Sequence, residues 1–344
     1  MMSRNLLSFA FTTRLALALA FLFLAQIGVA QLVPASPPIA DARDTRFAGA
    51  TEDWTSPTLS TSHLKSAPPL IGYRNVYPGY TVELLQVQWR FGDPLDLYVM
   101  KPAGVKKPPV IIYLYGYPTD TDPFKAAKWQ QAATKKGFAA VGFVSALTGH
   151  RYHDRPMREW FISELQECLA ASAHDVQMVL DYLATRGDLD MDRVGMFAEG
   201  SGATIGILAS AADPRIKVLD TVNPWGDWPT WMSTSPFVPA DERADYVKPE
   251  YLKKVASLEP IDWLPKIQAR KFRLQDARFE TNTPETAKER LRAAAPARAK
   301  VVIYKTPKEF NAAIDHNQEM DWMHAELLAL PDPQALSSAA LQKP

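Results

Sequence analysis

The stretch from Asp188 to Ser210, DLDMDRVGMFAEGSGATIGILAS, carries the pattern that decides the fold. Arg193 to Phe197 is a short apolar run that predicts a buried strand. Gly200-Ser201-Gly202 follows as a turn, because the two glycines free the backbone for a sharp reversal. Ala203 to Ala211 then predicts a helix. A strand that feeds a helix through a tight turn is the repeating unit of a parallel sheet.

The same rhythm extends in both directions. Downstream, Lys217 to Val222, Lys271 to Leu274 and Val301 to Tyr304 read as strands. Upstream, Val110 to Leu114 (VIIYL) is continuously apolar and bounded by Pro109 and Gly116, as a strand buried on both faces requires. Phe124 to Lys136 reads as a helix and Phe138 to Val144 as a further strand. Tyr80 to Arg90 and Leu95 to Met100 form a hairpin turned at Phe91-Gly92-Asp93-Pro94. Between Phe161 and Ala184 a stripe of Phe161, Leu165, Cys168, Leu169, Val176, Val179, Leu180 and Leu183 predicts a long amphipathic helix, which makes Cys168 a small buried hydrophobe. The expected fold class is α/β: a mostly parallel central sheet with helices on both faces. Residues 223–261 break the rhythm and carry Trp225, Trp228, Trp231 and Phe237 among prolines, the expected place for a cap insertion.

Outside this region the chain changes character. Arg4 and Arg14 precede the uncharged run Leu15 to Ala25, and Gly28-Val29-Ala30 places small residues at a cleavage site. Residues 1–30 therefore read as a signal peptide, too short an apolar run for a transmembrane helix, and the mature chain is expected to be exported, periplasmic or extracellular. Residues 31–70 are rich in Pro, Ser, Thr and Ala and read as a tether or a segment draped over the surface, outside the core. The remaining core domain spans 71–335 and leaves a tail at 336–344.

Composition excludes several classes. The 38 basic and 38 acidic residues cancel, which argues against a nucleic-acid binder. One cysteine excludes a disulfide framework and a cysteine-rich zinc module. No glycine-rich phosphate fingerprint opens a helix after the first strand, so no nucleotide cofactor is expected. His150, His153 and Asp154 cluster in TGHRYHD, but their short loop spacing fits a polar pocket rim better than a metal site, and no metal is expected.

Four pieces in order, WRFGDPLDLYVMKPAG (89–104), PPVIIYLYGYP (108–118), the Asp188–Ser210 stretch and LEPIDWLPKIQARKFRLQDARFETNTP (258–284), resemble the α/β-hydrolase superfamily across roughly residues 80 to 330. Within it the chain is most similar to exported esterases, acetyl xylan esterases and dienelactone hydrolases. The resemblance implies a nucleophilic serine on a strained elbow with small residues two positions to either side. Two registers fit. If Ala198 and Gly202 are the small flanks, the nucleophile position is Gly200, and the protein is a catalytically inactive binding protein. If the elbow is shifted by one residue, Ser201 attacks, although Glu199 then crowds the turn.

For an active protein the resemblance assigns Ser201 as nucleophile and His316, in the loop IDHNQ after the last strand, as base. Glu280 would orient that histidine, with Asp276 and Asp227 in reserve. The backbone N–H groups of Tyr117 and Gly202 would hold the oxyanion. Trp225, Trp228 and Trp231 would line the substrate pocket or form the core of the cap. The expected substrate is a small-molecule or carbohydrate ester, with no membrane span in the mature chain.

Overall fold

The computed structural model describes residues 45–147, 151, 161–315 and 318–331. The leader, residues 31–44 of the extension, and His150, His153, Asp154 and His316 lie outside these residues. From Leu70 onward the chain builds a nine-stranded sheet in the order β1-β2-β3-β5-β4-β6-β7-β8-β9. The strands are β1 (Leu70–Tyr77), β2 (Tyr80–Val87), β3 (Leu95–Pro102), β4 (Pro109–Leu114), β5 (Ala139–Gly142), β6 (Asp190–Glu199), β7 (Ile216–Val222), β8 (Lys271–Ala277) and β9 (Lys300–Tyr304). The pairs from β5 and β4 through to β9 are parallel, while β1, β2 and β3 enter antiparallel.

Burial follows the patterning. Every residue of β4 and β5 is buried, as strands covered on both faces must be. The helices of seven or more residues, in chain order, are α1 (Ala127–Thr134), α2 (Leu165–Arg186), α3 (Ser201–Ala212), α4 (Trp228–Thr234), α5 (Pro249–Val255), α6 (Glu285–Ala294), α7 (Pro307–Asp315) and α8 (Gln318–Leu328). Cys168 is fully buried on the α2 stripe. Gly187, at φ 70°, ends that helix in the left-handed conformation that glycine adopts without strain.

Two details differ from the sequence reading. The helix expected over Phe124 to Lys136 breaks at Ala126, which is extended between the turn Asp122–Lys125 and α1. The Phe124 ring is fixed against Gly142, where a Cβ would approach to 2.4 Å, so the first turn is held by the sheet and cannot continue the axis of α1. The structure adds strand β1, which no pattern in the sequence announces. Nearly all of it is exposed on both faces, so no burial period marks it in the sequence. Among the described residues no helix is long and apolar enough to cross a membrane.

Candidate functional site

The C-terminal ends of β4, β6, β7 and β8 lie along one edge of the sheet, where α/β folds place their ligand sites. Four connections meet there: residues 115–121 after β4, the turn from β6 into α3, residues 223–227 after β7, and residues 278–284 after β8.

The elbow is the turn from β6 into α3, and its apex is Gly200. β6 runs through Glu199, paired with Val222 of β7, and the Gly200 N–H still donates to the Val222 carbonyl at 2.9 Å. The chain then reverses at φ 56° and ψ −124° in Gly200, and α3 begins at Ser201. An L-residue adopts that conformation only under strain. The residues around the apex are close-packed. Gly206 packs on Ala198, with a Cβ position 3.2 Å from the alanine methyl, and a Cβ on Gly202 would meet the Leu114 carbonyl oxygen at 2.2 Å. Gly116 is equally confined, since its Cβ would lie 2.7 Å from the Glu199 carbonyl.

Ser201 is placed one step into the helix and is fully buried. Its hydroxyl accepts a hydrogen bond from the Tyr117 N–H at 2.9 Å. The donor assigned to the oxyanion is therefore already engaged, by the side chain assigned to attack. What solvent reaches at the apex is Gly200, which has no functional group, and the partly buried Glu199.

Glu199 is the residue that the sequence reading passed over except as a steric burden. Strand alternation puts it on the same face of β6 as Gly195 and Phe197, the face covered by Met323 and Leu327 of α8. Burial, together with the nearby negative charge of Glu280, pushes its carboxyl above the ordinary range. Among the described residues no hydrogen bond or ion pair reaches this side chain. Its signal in the sequence is positional only: it is the residue next to the apex.

Glu280 lies after β8, as expected, but its loop is secured by other groups. Its carboxylate accepts the Asn282 N–H at 2.6 Å. Lys288 of α6 donates to the carbonyls of Ala277 (2.7 Å) and Glu280 (2.5 Å) and lies 3.5 and 3.6 Å from the Asp276 and Glu280 carboxylates. Asp276 is further paired with Arg292. Burial pulls the Lys288 ammonium below its ordinary value against the opposing pull of Glu280. Asp227 has φ 55° and an ion pair to Arg290 at 2.9 Å. Each of the three acidic residues is thus engaged by a lysine or an arginine, which no local pattern in the sequence shows.

The three tryptophans are core residues in this conformation. Trp225, Trp228 and Trp231 are all buried, and Trp225 stacks on Trp231 with ring centroids 4.9 Å apart. Thr204 of α3 exchanges two hydrogen bonds with the Trp225 backbone, 2.8 and 2.9 Å, which fixes the 223–227 connection against the elbow helix. Trp225 Nε1 comes within 3.7 Å of the place a Cβ on Gly200 would occupy. Tyr117 and Phe237, both partly exposed, complete an aromatic wall through the contacts Tyr117–Phe237 (5.6 Å) and Phe237–Trp225 (5.1 Å).

The chain has the α/β-hydrolase fold. Its structure is similar to an acetyl xylan esterase from Paenibacillus sp. R4, with a TM-score of 0.58 and 15% identity over 75% of this chain and 89% of that one. It is similar also to acetyl xylan esterase 1 from Thermoanaerobacterium sp. JW/SL YS485, at 0.57 and 14% over 74% and 87%. An S-formylglutathione hydrolase from Agrobacterium tumefaciens matches at 0.56 and 12% over 75% and 99%. At these identities the likeness is one of fold. No protein-family model matches the sequence, and no curated protein matches it.

Proposed function

We propose that this is an exported α/β-hydrolase-fold protein that binds a small-molecule or carbohydrate ester without cleaving it through a serine. One observation carries this reading: the elbow apex is Gly200, while the Ser201 hydroxyl is turned inward and takes up the Tyr117 N–H. Acyl transfer needs a nucleophile that faces the substrate and a vacant donor pair for the oxyanion. Here the apex has no nucleophile and one donor is taken. The ligand class is suggested by the acetyl xylan esterases among the structural neighbours and by the partly exposed Tyr117 and Phe237 beside the apex. Export is supported by the leader, Arg4, Arg14 and the run Leu15 to Ala25, and the N-terminal sequence of protein recovered from the cell envelope should begin at Gln31.

The experiment is a direct comparison of wild type with Ser201→Ala. Acetylated xylo-oligosaccharides and small aryl acetates should quench tryptophan fluorescence in both proteins without releasing acetate. A fluorophosphonate should label neither. Acetate release or labelling that disappears in Ser201→Ala would establish the shifted elbow, with Ser201 as nucleophile, and end the binding-only reading.

A further inference from the structure

At the edge of the sheet opposite the elbow, three segments enclose a groove of about 770 Å³. They are the β1–β2 turn at Pro78-Gly79, the turn after β3 at residues 103–105, and α1 with the residues that follow it to Gly137. Gly137 precedes β5 and Val105 precedes β4, so the groove lies at the N-terminal ends of these parallel strands, whereas the elbow follows the C-terminal end of β6. No residue of the elbow or of the 223–227 connection lines it.

The walls are held from below. The Ala103 N–H donates to the Gly79 carbonyl at 2.8 Å, which ties the two turns together. Tyr80, buried at the base of the groove, donates its hydroxyl to Gln130 of α1 at 3.3 Å. The Gln130 amide in turn donates to the Phe124 carbonyl at 2.7 Å. A groove shaped in this way by backbone and core side chains need not be ordered by its ligand.

The charge on the groove has one sign. Lys128, Gln131 and Lys135 all line it, and Lys135 continues the helical conformation past the end of α1. Their i, i+3, i+7 spacing puts them on one face, with the two lysines two helical turns apart, about 10.5 Å along the axis. Lys106 and Lys107 extend the positive charge beyond Val105, and all four lysines are exposed. Neighbouring lysines are neutralised: Lys101 by Asp188, Lys125 by Asp122 and Lys136 by Asp321. Among the described residues no carboxylate pairs with the four, and none lines the groove. The surface between them is apolar. Pro78, Pro102 and Val105 line it, and Tyr77 stacks on Tyr80 with ring centroids 5.1 Å apart while remaining 40% exposed.

We propose that this groove binds an acidic polysaccharide chain, with Lys128 and Lys135 taking uronate carboxylates and Tyr77 receiving the C–H face of a sugar ring. Charge complementarity fixes the sign of the ligand. The mixture of cations and rigid apolar surface selects its kind, because each uronate unit carries a carboxylate and a rigid apolar face together. An anionic bilayer is flat and does not enter a groove. An acidic peptide carries its carboxylates on flexible stems, which must be ordered on binding, and offers no rigid face to stack. The groove is separate from the elbow, so the proposal stands whether or not the cleft cleaves an ester.

The test is calorimetric titration of the full-length protein with a purified oligogalacturonate. Wild type should bind it, with an affinity that falls as salt rises, because exposed charges carry the contact. The double variant Lys128→Glu/Lys135→Glu should bind roughly tenfold more weakly or worse. Tyr77→Ala should weaken binding while leaving its salt dependence unchanged. All three side chains are exposed, so both variants should unfold at the wild-type temperature. Carbodiimide coupling of bound oligogalacturonate to wild type, which joins a carboxylate to an amine, decides the matter even if a variant fails to fold. Mass spectrometry should find the new amide on Lys128 or Lys135. Four results overturn the proposal: no binding by wild type, undiminished binding by the double variant, coupling confined to other lysines, or polyglutamate or phosphatidylglycerol vesicles held as tightly through the same two lysines.

Discussion

Replacing Gly200 by serine separates two explanations for a bare elbow: that a side chain has no room there, or that the hydroxyl is simply missing. The backbone at φ 56° and ψ −124° penalises any L-residue by about 1–3 kcal/mol. The surroundings add little, since a Cβ would lie 3.5 Å from Gly116 Cα and 3.7 Å from Trp225 Nε1, ordinary contact distances. Gly200→Ser should therefore cost about 2 kcal/mol, the backbone term alone. In a domain of this size that lowers Tm by roughly 3–4 °C. Gly202→Ala is the contrast. Its Cβ would lie 2.2 Å from the Leu114 carbonyl oxygen and 3.0 Å from that of Tyr115, both main-chain atoms that cannot rotate away. It should cost more than about 3 kcal/mol. Denaturant unfolding of the two variants beside wild type measures both. If Gly200→Ser is as damaging as Gly202→Ala, the apex has no room and the steric argument fails. If it costs nothing, the apex is not in the strained conformation that defines the elbow.

Three further outcomes follow from buried charge. His324 is stacked on Phe138 at 4.3 Å, and burial with the nearby Lys136 pulls it from 6.5 to about 4. The unfolded chain thus takes up a proton that the folded one refuses, so stability present above pH 6.5 is lost as the pH falls towards 4, by about 3 kcal/mol; His324→Phe should remove that part of the acid sensitivity in pH-dependent unfolding. Glu199 is shifted the other way, upward, so its ionised form is disfavoured in the folded state and stability falls as the pH rises from the ordinary carboxylate range through its folded value. Glu199→Gln should therefore be more stable than wild type at neutral pH, and the gain should vanish in acid, where both forms are uncharged. Lys288→Met should destabilise by about 1–3 kcal/mol, because it leaves the Ala277 and Glu280 carbonyls without their donor while Asp276 keeps Arg292 and Glu280 keeps the Asn282 N–H; no loss in denaturant unfolding would show that water replaces the ammonium there.

The layers of the fold were legible because burial on both faces of a parallel sheet demands continuous apolar runs. VIIYL could hardly be anything else, and it became β4. The long stripe became α2 for the same reason, with its first turn tightened to a 3₁₀ segment at Phe161–Glu164. β1 was illegible because edge exposure removes the period that would announce it. In the extension before it, a composition of prolines and serines gives no sign that Glu52 reaches Arg90. Such a contact joins residues more than thirty positions apart, so no local pattern records it.

The site depended on a finer distance. Ala198, Gly200, Ser201 and Gly202 satisfy two elbow registers that differ by one residue, about 3.3 Å of strand. Local propensity cannot separate them, because the glycines tolerate either. The choice is made across the sheet. Glu199 is the last residue of β6 to pair with β7, and the Gly200 N–H still reaches the Val222 carbonyl, so the strand cannot release its chain one residue later. From the other side, the Leu114 carbonyl presses on Gly202 and permits only that residue at the second flank. Two neighbouring strands therefore set the register, and the serine falls inside the helix as a consequence. The hydroxyl that a one-residue shift would have made a nucleophile becomes instead the acceptor that occupies the Tyr117 N–H.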